Sequence, residues 1–479
     1  MKEKETNYTR DRGDLLRFPL VMSLLGSPRF ITSLQVFTLA LFVLALYKGC
    51  SAPHERENLF TTGLFWGLFW PFFIFITTPL FGKIFCALCP HRLIIFSLGE
   101  RFGLNNKAPR WMTAGYASII IVLIFYWFPV YAWKGIFHSP LNTSIYFTVF
   151  TFVAVAISIY YRPRVWCKGL CPVALPTNIV SRAAFFGIRS YKSKCDSCRK
   201  ATCVAGRTGF EGCPHGINPS KLTENSDCTL CMKCIKACSH DAVSFGFLRP
   251  MSEFALKGRK GDMPEALGLL LLFGALTLTM QLYNGLYRGA LKDRFFLAKV
   301  GSHIQPYVDF AVSREGAIAL SVFFFSITTV TLYFFLFSHL AAWIAKKEMS
   351  KVFEVFAWTL LPAFAFSSFS QMSEFFFFRY YPMIADGFLS LFGYGFRVKP
   401  LASMNSLWLT VFKLIAMGGA MWSIILTWQA SRKFAEGVAM RVIISLPFCF
   451  FHLFILIGFT AHMVVMIFLD MPQVTGPRQ

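Results

Sequence analysis

Charge is what this sequence has least of. Charged residues fill 15% of its positions, and only 24 of them are Asp or Glu, against 47 Lys or Arg. Soluble chains usually carry about 25%, so a soluble globular class is disfavoured. No glycine-rich run is long enough to cradle a phosphate; Gly206-Arg-Thr-Gly209 is too short. No Ser/His/Asp or paired-carboxylate spacing points to bond-making catalysis. The first apolar run follows about 29 polar residues and has no small-residue cleavage site, so it is expected to stay as a helix.

Apolar residues are plentiful. They make up 55% of the chain, and 56 residues are Phe. Runs long enough to cross about 30 Å of hydrocarbon predict nine spans, at 30–48, 59–81, 113–133, 142–160, 265–287, 316–345, 354–377, 405–428 and 441–469. The expected fold is therefore an all-α polytopic membrane protein in contact with lipid. The net charge of +23 does not signal nucleic acid, because the basic residues are unevenly placed. Six Lys/Arg fall in 1–29 and seventeen in 161–264. The positive-inside rule puts those segments in the cytoplasm. An odd number of spans then leaves the C-terminus in the periplasm, in a cell inner membrane. The loop 288–314 is read as external, although five Lys/Arg lie in it.

Four parts follow: an N-terminal cytoplasmic segment (1–29), a four-helix membrane domain (30–190), a polar insert (191–250) and a five-helix membrane domain (251–479). Twelve of the fourteen cysteines lie in the loops assigned to the cytoplasm, where thiols stay reduced. Metal or cluster ligation is the better reading of them than disulfides. Cys50 and Cys449 are isolated and read as packing residues.

The insert holds Cys228-Thr-Leu-Cys231-Met-Lys-Cys234-Ile-Lys-Ala-Cys238, the C-x2-C-x2-C-x3-C spacing of bacterial two-cluster ferredoxins. In that spacing the fourth cysteine serves the other cluster. Cys228, Cys231 and Cys234 are therefore grouped with Cys213, and Cys195, Cys198 and Cys203 with Cys238, giving two [4Fe–4S] sites in a small ferredoxin-like domain. The second set departs from the usual run: four residues separate Cys198 from Cys203, and no proline follows Cys238. Zinc is the alternative for any CxxC pair.

The first membrane domain is internally repeated. One hairpin ends in Lys83-Ile-Phe-Cys86-Ala-Leu-Cys89-Pro90 and the next in Arg164-Val-Trp-Cys167-Lys-Gly-Leu-Cys171-Pro172. If the hairpins pack side by side, four thiols converge. They could bind a third cluster or another metal, act as a dithiol relay, or simply be buried small residues at helix ends.

Paired Cys-Pro motifs after membrane hairpins, followed by a two-cluster insert, resemble the membrane polyferredoxin family. That family includes the quinol dehydrogenase membrane component of periplasmic nitrate reduction, the membrane regulator of nitrous oxide reduction and an oxidase-assembly copper reductase. The resemblance covers residues 30–245. It implies electron transfer between the quinone pool and iron–sulfur centres, with a redox partner protein such as a ferredoxin, cytochrome or reductase subunit. The five further helices resemble the family less closely.

In those helices His339 and His452 fall at broadly similar depth, which could support a bis-histidine haem b; the bland alternative is a histidine bonded to a neighbouring helix. Glu374 and Lys413 lie within spans, where ionisable residues are costly and often functional. The leading functional reading is an oxidoreductase component, a membrane electron-transfer protein in a respiratory or cyclic chain. The alternatives are a cluster-dependent Cu(II) reductase, since thiolates favour Cu(I), and a non-enzymatic redox sensor or assembly factor.

Overall fold

The computed structural model describes residues 13–55, 57–127, 134–196, 198–222, 224–248, 250, 263–309, 312–394, 397–403 and 406–468. Most of them are helical. In chain order the principal elements are α1 (Pro28–Ser51), α2 (Phe60–Phe81), α3 (Pro90–Phe102), α4 (Tyr116–Trp127), α5 (Pro140–Tyr160) and α6 (Ala174–Ser181). Strands β1 (Phe186–Ser190) and β2 (Val243–Phe247) flank the cysteine-rich insert. Then come α7 (Met263–Tyr287), α8 (Phe296–Val308), α9 (Arg314–Ala345), α10 (Met349–Ser390), α11 (Thr410–Ser431) and α12 (Val438–Phe468).

Eight of these helices, α1, α2, α5, α7, α9, α10, α11 and α12, are long and apolar enough to cross a membrane. The protein is a multi-pass membrane protein. The ninth expected span, 113–133, is represented by the twelve-residue α4, about 18 Å long by helix rise; its predicted end, 128–133, lies outside the described residues. The middle of α10, from Val352 to Glu374, is almost continuously buried, whereas α1 is mostly half-buried or exposed and lies on the rim. Rim helices turn Phe37, Phe152, Leu332 and Leu336 outward, as lipid-facing surfaces require.

The two membrane domains share one core. Ile74 and Phe75 of α2, Ile179 of α6, Phe273 of α7, Phe334 of α9, Phe356 of α10 and Phe448 of α12 belong to a single buried cluster. The stretch expected as an external loop is not an open loop. α8 folds back antiparallel to α9, with Phe296 against Phe325 and Ser302 bonded to Arg314. Gly301 permits the approach, since a Cβ there would stand 2.4 Å from Ile318 Cα.

Two local features position the site. The Gly63–Ile76 stretch of α2, with Pro71 inside it, is wound as a π-helix, and the Thr77 N–H donates to the Phe72 carbonyl five residues back, at 2.9 Å. Residues four apart share one face of it: Phe65–Phe69, Phe69–Phe73 and Trp66–Trp70 have ring centroids 5.8, 6.3 and 6.5 Å apart. The second feature is the insert's base. β1 and β2 pair antiparallel from Phe186↔Phe247 to Ser190↔Val243, bringing the two ends of the insert together. The N-terminal segment belongs to this base as well. Buried Asp14 accepts from the N–H groups of Leu16 (3.0 Å) and Phe245 (3.2 Å) and from the Tyr191 hydroxyl (2.6 Å).

Candidate functional site

The repeat seen in the hairpin motifs is a repeat of backbone conformation. α2 ends at Gly82, whose φ of +73° suits glycine. A short turn, Ile84–Leu88, follows, and Cys89 lies extended (φ −62°, ψ 124°) ahead of Pro90, the first residue of α3. In the second hairpin the turn Trp166–Leu170 leads to Cys171 in the same conformation (φ −67°, ψ 122°), ahead of Pro172. Proline disfavours the helical region for the residue before it, so each Cys-Pro step redirects the chain. The first backbone N–H groups of the next helix have no helical partners, and here they meet sulfur. The His91 and Arg92 N–H groups hydrogen-bond Cys89, and the Val173 N–H hydrogen-bonds Cys171.

Cys86, Cys89, Cys167 and Cys171 thereby come together. Cys89 feels Cys86, Cys167 feels both, and Cys171 feels the other three. Burial first, and mutual repulsion second, push the Cys89 and Cys167 thiols up to about 12 from an ordinary 9.0 and hold Cys171 high. The four sulfur-bearing residues line a cavity of about 110 Å³, with Lys83 and Arg92 at the same end. A single water needs only about 10–15 Å³.

The second group is Cys213, Cys228, Cys231 and Cys234. Leu230 and Met232 adopt φ of +52° and +60°, which non-glycine residues seldom do. Such alternation turns successive N–H groups toward one point and forms an anion-binding concavity. The Leu230 N–H bonds Cys228, and the Ile217 N–H donates to Cys213 Sγ at 3.4 Å. Burial lifts Cys228 to about 12, and burial followed by Cys228, Cys231 and Cys213 raises Cys234. All four line one smaller cavity.

In the third group, burial and then Cys238, Cys195 and Cys198 raise Cys203 to about 11. The Ala242 N–H donates to Cys238 Sγ at 3.3 Å. Cys86, Cys89, Cys167 and Cys171 line one cavity and Cys213, Cys228, Cys231 and Cys234 another, while Cys203 feels Cys195, Cys198 and Cys238.

The three groups stand in file. The Cys213 N–H donates to the Cys203 carbonyl (3.0 Å), and Cys234 feels Cys203. His215 and Thr229 line both the second group's cavity and that of the Cys-Pro group. Arg92 Nη1 donates to Thr229 Oγ1 at 2.7 Å. Burial, then Arg92 and Lys83, lower His215 to about 3, so its ring is neutral, and its buried Nε2 has no hydrogen-bond partner. The sequence pattern did not single out His215, Thr229, Lys83 or Arg92; their only signal was proximity to the cysteines. Among the described residues, no three His, Cys, Asp or Glu side chains converge on a point fit for a single metal ion.

The remaining candidates lie elsewhere. His339 is exposed on α9. His452 is fully buried, with Nε2 3.2 Å from Thr359 Oγ1 and its ring near Phe334. Five residues along α9 turn His339 roughly 140° away from Phe334, so the pair does not form a bis-histidine site. Glu374 and Lys413 form a buried ion pair at 2.7 Å, and Ser370 donates to Glu374 at 3.2 Å. Arg182, which the sequence did not mark, fastens the insert to the helices. It pairs with Glu224 (2.5 Å) and Glu265 and lies 4.2 Å from the centroid of the Trp358 ring.

Comparison with known proteins adds little. No protein-family profile matches the chain, and no solved structure matches it. The chain is similar to an uncharacterized protein of Methanocaldococcus jannaschii, at 22% identity over 177 residues. That match covers 34% of this chain and 64% of the relative, so the chain spans less than two thirds of the relative's length.

Proposed function

We propose that this protein is an integral membrane iron–sulfur electron carrier. [4Fe–4S] clusters sit on the Cys195/Cys198/Cys203/Cys238 and Cys213/Cys228/Cys231/Cys234 sets, and a third cluster sits on Cys86, Cys89, Cys167 and Cys171. Electrons move along this file between a donor or acceptor dissolved in the membrane and a redox partner protein on the cytoplasmic side of an inner membrane. The observation that carries the reading is the shared wall. One histidine and one threonine line both the ferredoxin-type thiol cavity and the membrane-edge thiol cavity.

The donor sets fit the group. Each set offers four thiols, which soft iron–sulfur centres prefer, and each receives backbone N–H···S bonds of the kind that tune such clusters. The orphaned His215 Nε2 lies where sulfide or thiolate would supply a partner. Lys83, Arg92, Arg164 and Lys168 bear on the same place and would favour an anionic cluster. When bound, the clusters supply one-electron redox chemistry; the chain's residues bury them, orient them and set their local charge.

The test is electron paramagnetic resonance of anaerobically purified, dithionite-reduced protein. Broad, spin-coupled signals from neighbouring reduced clusters are expected. Isolated, uncoupled signals would break the file, and the absence of any iron signal would end the reading.

A further inference from the structure

The C-terminal domain holds two charges at its centre. Glu374 of α10 and Lys413 of α11 are both buried. Their ion pair lies about midway along the Leu361–Ser390 part of α10, roughly 20 Å from one end and 24 Å from the other by helix rise. Packing alone does not call for charge there, because apolar residues of similar volume hold helices as well as a buried pair does. Ionisable groups inside a bilayer mark ion and proton pathways. We infer that the Glu374–Lys413 pair is a proton-exchange site, the midpoint of a proton path through the C-terminal domain. The inference does not rest on the electron-carrier reading.

Toward the insert, the path is a polar face. Thr359, Ala363, Ser367, Ser370 and Glu374 fall at i, i+4, i+8, i+11 and i+15, on one side of α10. Each turn of that side has a buried polar partner. Ser370 donates to Glu374. Ser367 Oγ stands 3.5 Å from Thr277 Oγ1 of α7, the Ala363 N–H donates to Ser423 Oγ of α11 at 3.0 Å, and Thr359 Oγ1 stands 3.2 Å from His452 Nε2 of α12. His452 is fully buried, and its Nδ1 has no hydrogen-bond partner among the described residues. An imidazole so placed takes a proton at one nitrogen and gives one up at the other. The file ends beside Trp358, whose ring lies against Arg182, and Arg182 pairs with Glu265, which is 24% exposed. Hydroxyl contacts between helices are ordinary; a carboxylate, an ammonium and an imidazole along the same face are not.

Away from the insert, water approaches the pair. α10 widens into a π-turn at Phe376–Tyr380, directly after Glu374; such bulges are frequent at functional sites. Residues 397–403 run back along α10 without forming a helix. The Val398 N–H donates to Asp386 Oδ1 at 2.7 Å, and the Leu401 N–H to the Phe377 carbonyl at 3.1 Å, about one turn from Glu374. α11 begins at this depth, with Phe412 against Phe377. Irregular backbone does not face lipid; it is covered by protein or lines water. Lys399, Pro400, Leu401 and Ser403 are exposed, so the segment lines water, and Arg379 and Arg397 are exposed beside it. A proton arriving from this side binds the Glu374 carboxylate and releases it from Lys413. It leaves through the Ser370 hydroxyl, which passes on its own proton. Only O–H and N–H bonds are made and broken, and the ion pair is restored.

The experiment uses full-length protein, purified anaerobically and placed in liposomes with trapped pyranine and a potassium diffusion potential set by valinomycin. Proton entry should be faster than in protein-free liposomes. Lys413→Met/Glu374→Gln removes both charges and strands neither. It should melt near the parent's midpoint and yet lose the added rate by about tenfold or more, as removal of a positioned proton-transfer group does. Ser370→Ala leaves the ion pair in place and should slow entry about fivefold, the worth of one hydrogen bond. A loss in either variant at the parent's melting midpoint supports the inference. Entry no faster than in protein-free liposomes, or a rate unchanged in both variants, would overturn it. Iron counted in the same preparation keeps the two readings apart: iron without proton entry sinks this inference alone, and proton entry without iron sinks the electron-carrier reading alone.

Discussion

Arg182→Met removes one cation from between two carboxylates that the fold has taken out of water. The Arg182 side chain is 2% exposed and that of Glu224 4%, while Glu265 keeps 24%. Glu265 can recover water, so its share of the loss is discounted as for a partly exposed pair. Glu224 cannot. Ser226 still donates to its other oxygen at 3.0 Å, but the charge stays buried. Removing one partner of a buried pair costs about 3–5 kcal/mol; Met keeps the stem that packs near Trp358 and Glu224 keeps other contacts, so the lower end of that range is expected. Urea or SDS titration in a fixed detergent, followed by tryptophan emission, measures it. The double variant Arg182→Met/Glu224→Gln also removes the buried negative charge and should recover half the loss or more. A single variant as stable as the parent, or a double variant no better than the single, would refute the reasoning.

Other outcomes follow from the same structure. Asp14→Ala removes three hydrogen bonds to one buried carboxylate and should loosen the β1–β2 base by about 1.5–3 kcal/mol, seen as faster proteolysis within 191–250. Lys413→Met leaves Glu374 buried among lipid-crossing helices and should lower the melting midpoint sharply, by about 3–5 kcal/mol of stability; Lys413→Met/Glu374→Gln should regain most of it. The iron-free protein should lose stability as pH climbs from about 9 toward 12. Its buried thiols at Cys89, Cys167 and Cys228 hold their protons to about 12 when folded but release them near 9.0 when unfolded, so the folded state binds more protons over that window. Iron-loaded protein, whose sulfurs are already bonded, should show no such fall between pH 7 and 10.5 by thermal melting.

The membrane-crossing helices were legible because they are written locally. Hydropathy marks a crossing helix within its own residues, and the run from Cys228 to Cys238 fixes its neighbours by spacing alone. The convergence of the Cys-Pro motifs was readable from the repeat. What remained hidden depended on facing and on distant partners. His339 and His452 were paired by expected depth, which does not encode the helical rotation that separates them. α8 hid in a basic stretch between spans, and only Gly301 hinted at close packing. Arg182 was one of seventeen cations in 161–264; nothing local distinguished it from those facing water. Asp14 and His215 gain their roles from partners far along the chain.

Iron and acid-labile sulfide, counted against protein in anaerobically purified material, test the central claim most directly. Three cubanes give about twelve irons and about twelve sulfides per chain, falling by about four of each in Cys86→Ser/Cys171→Ser with the rest retained. A preparation with folded helices and no iron, or one whose iron is indifferent to these cysteines, would contradict it.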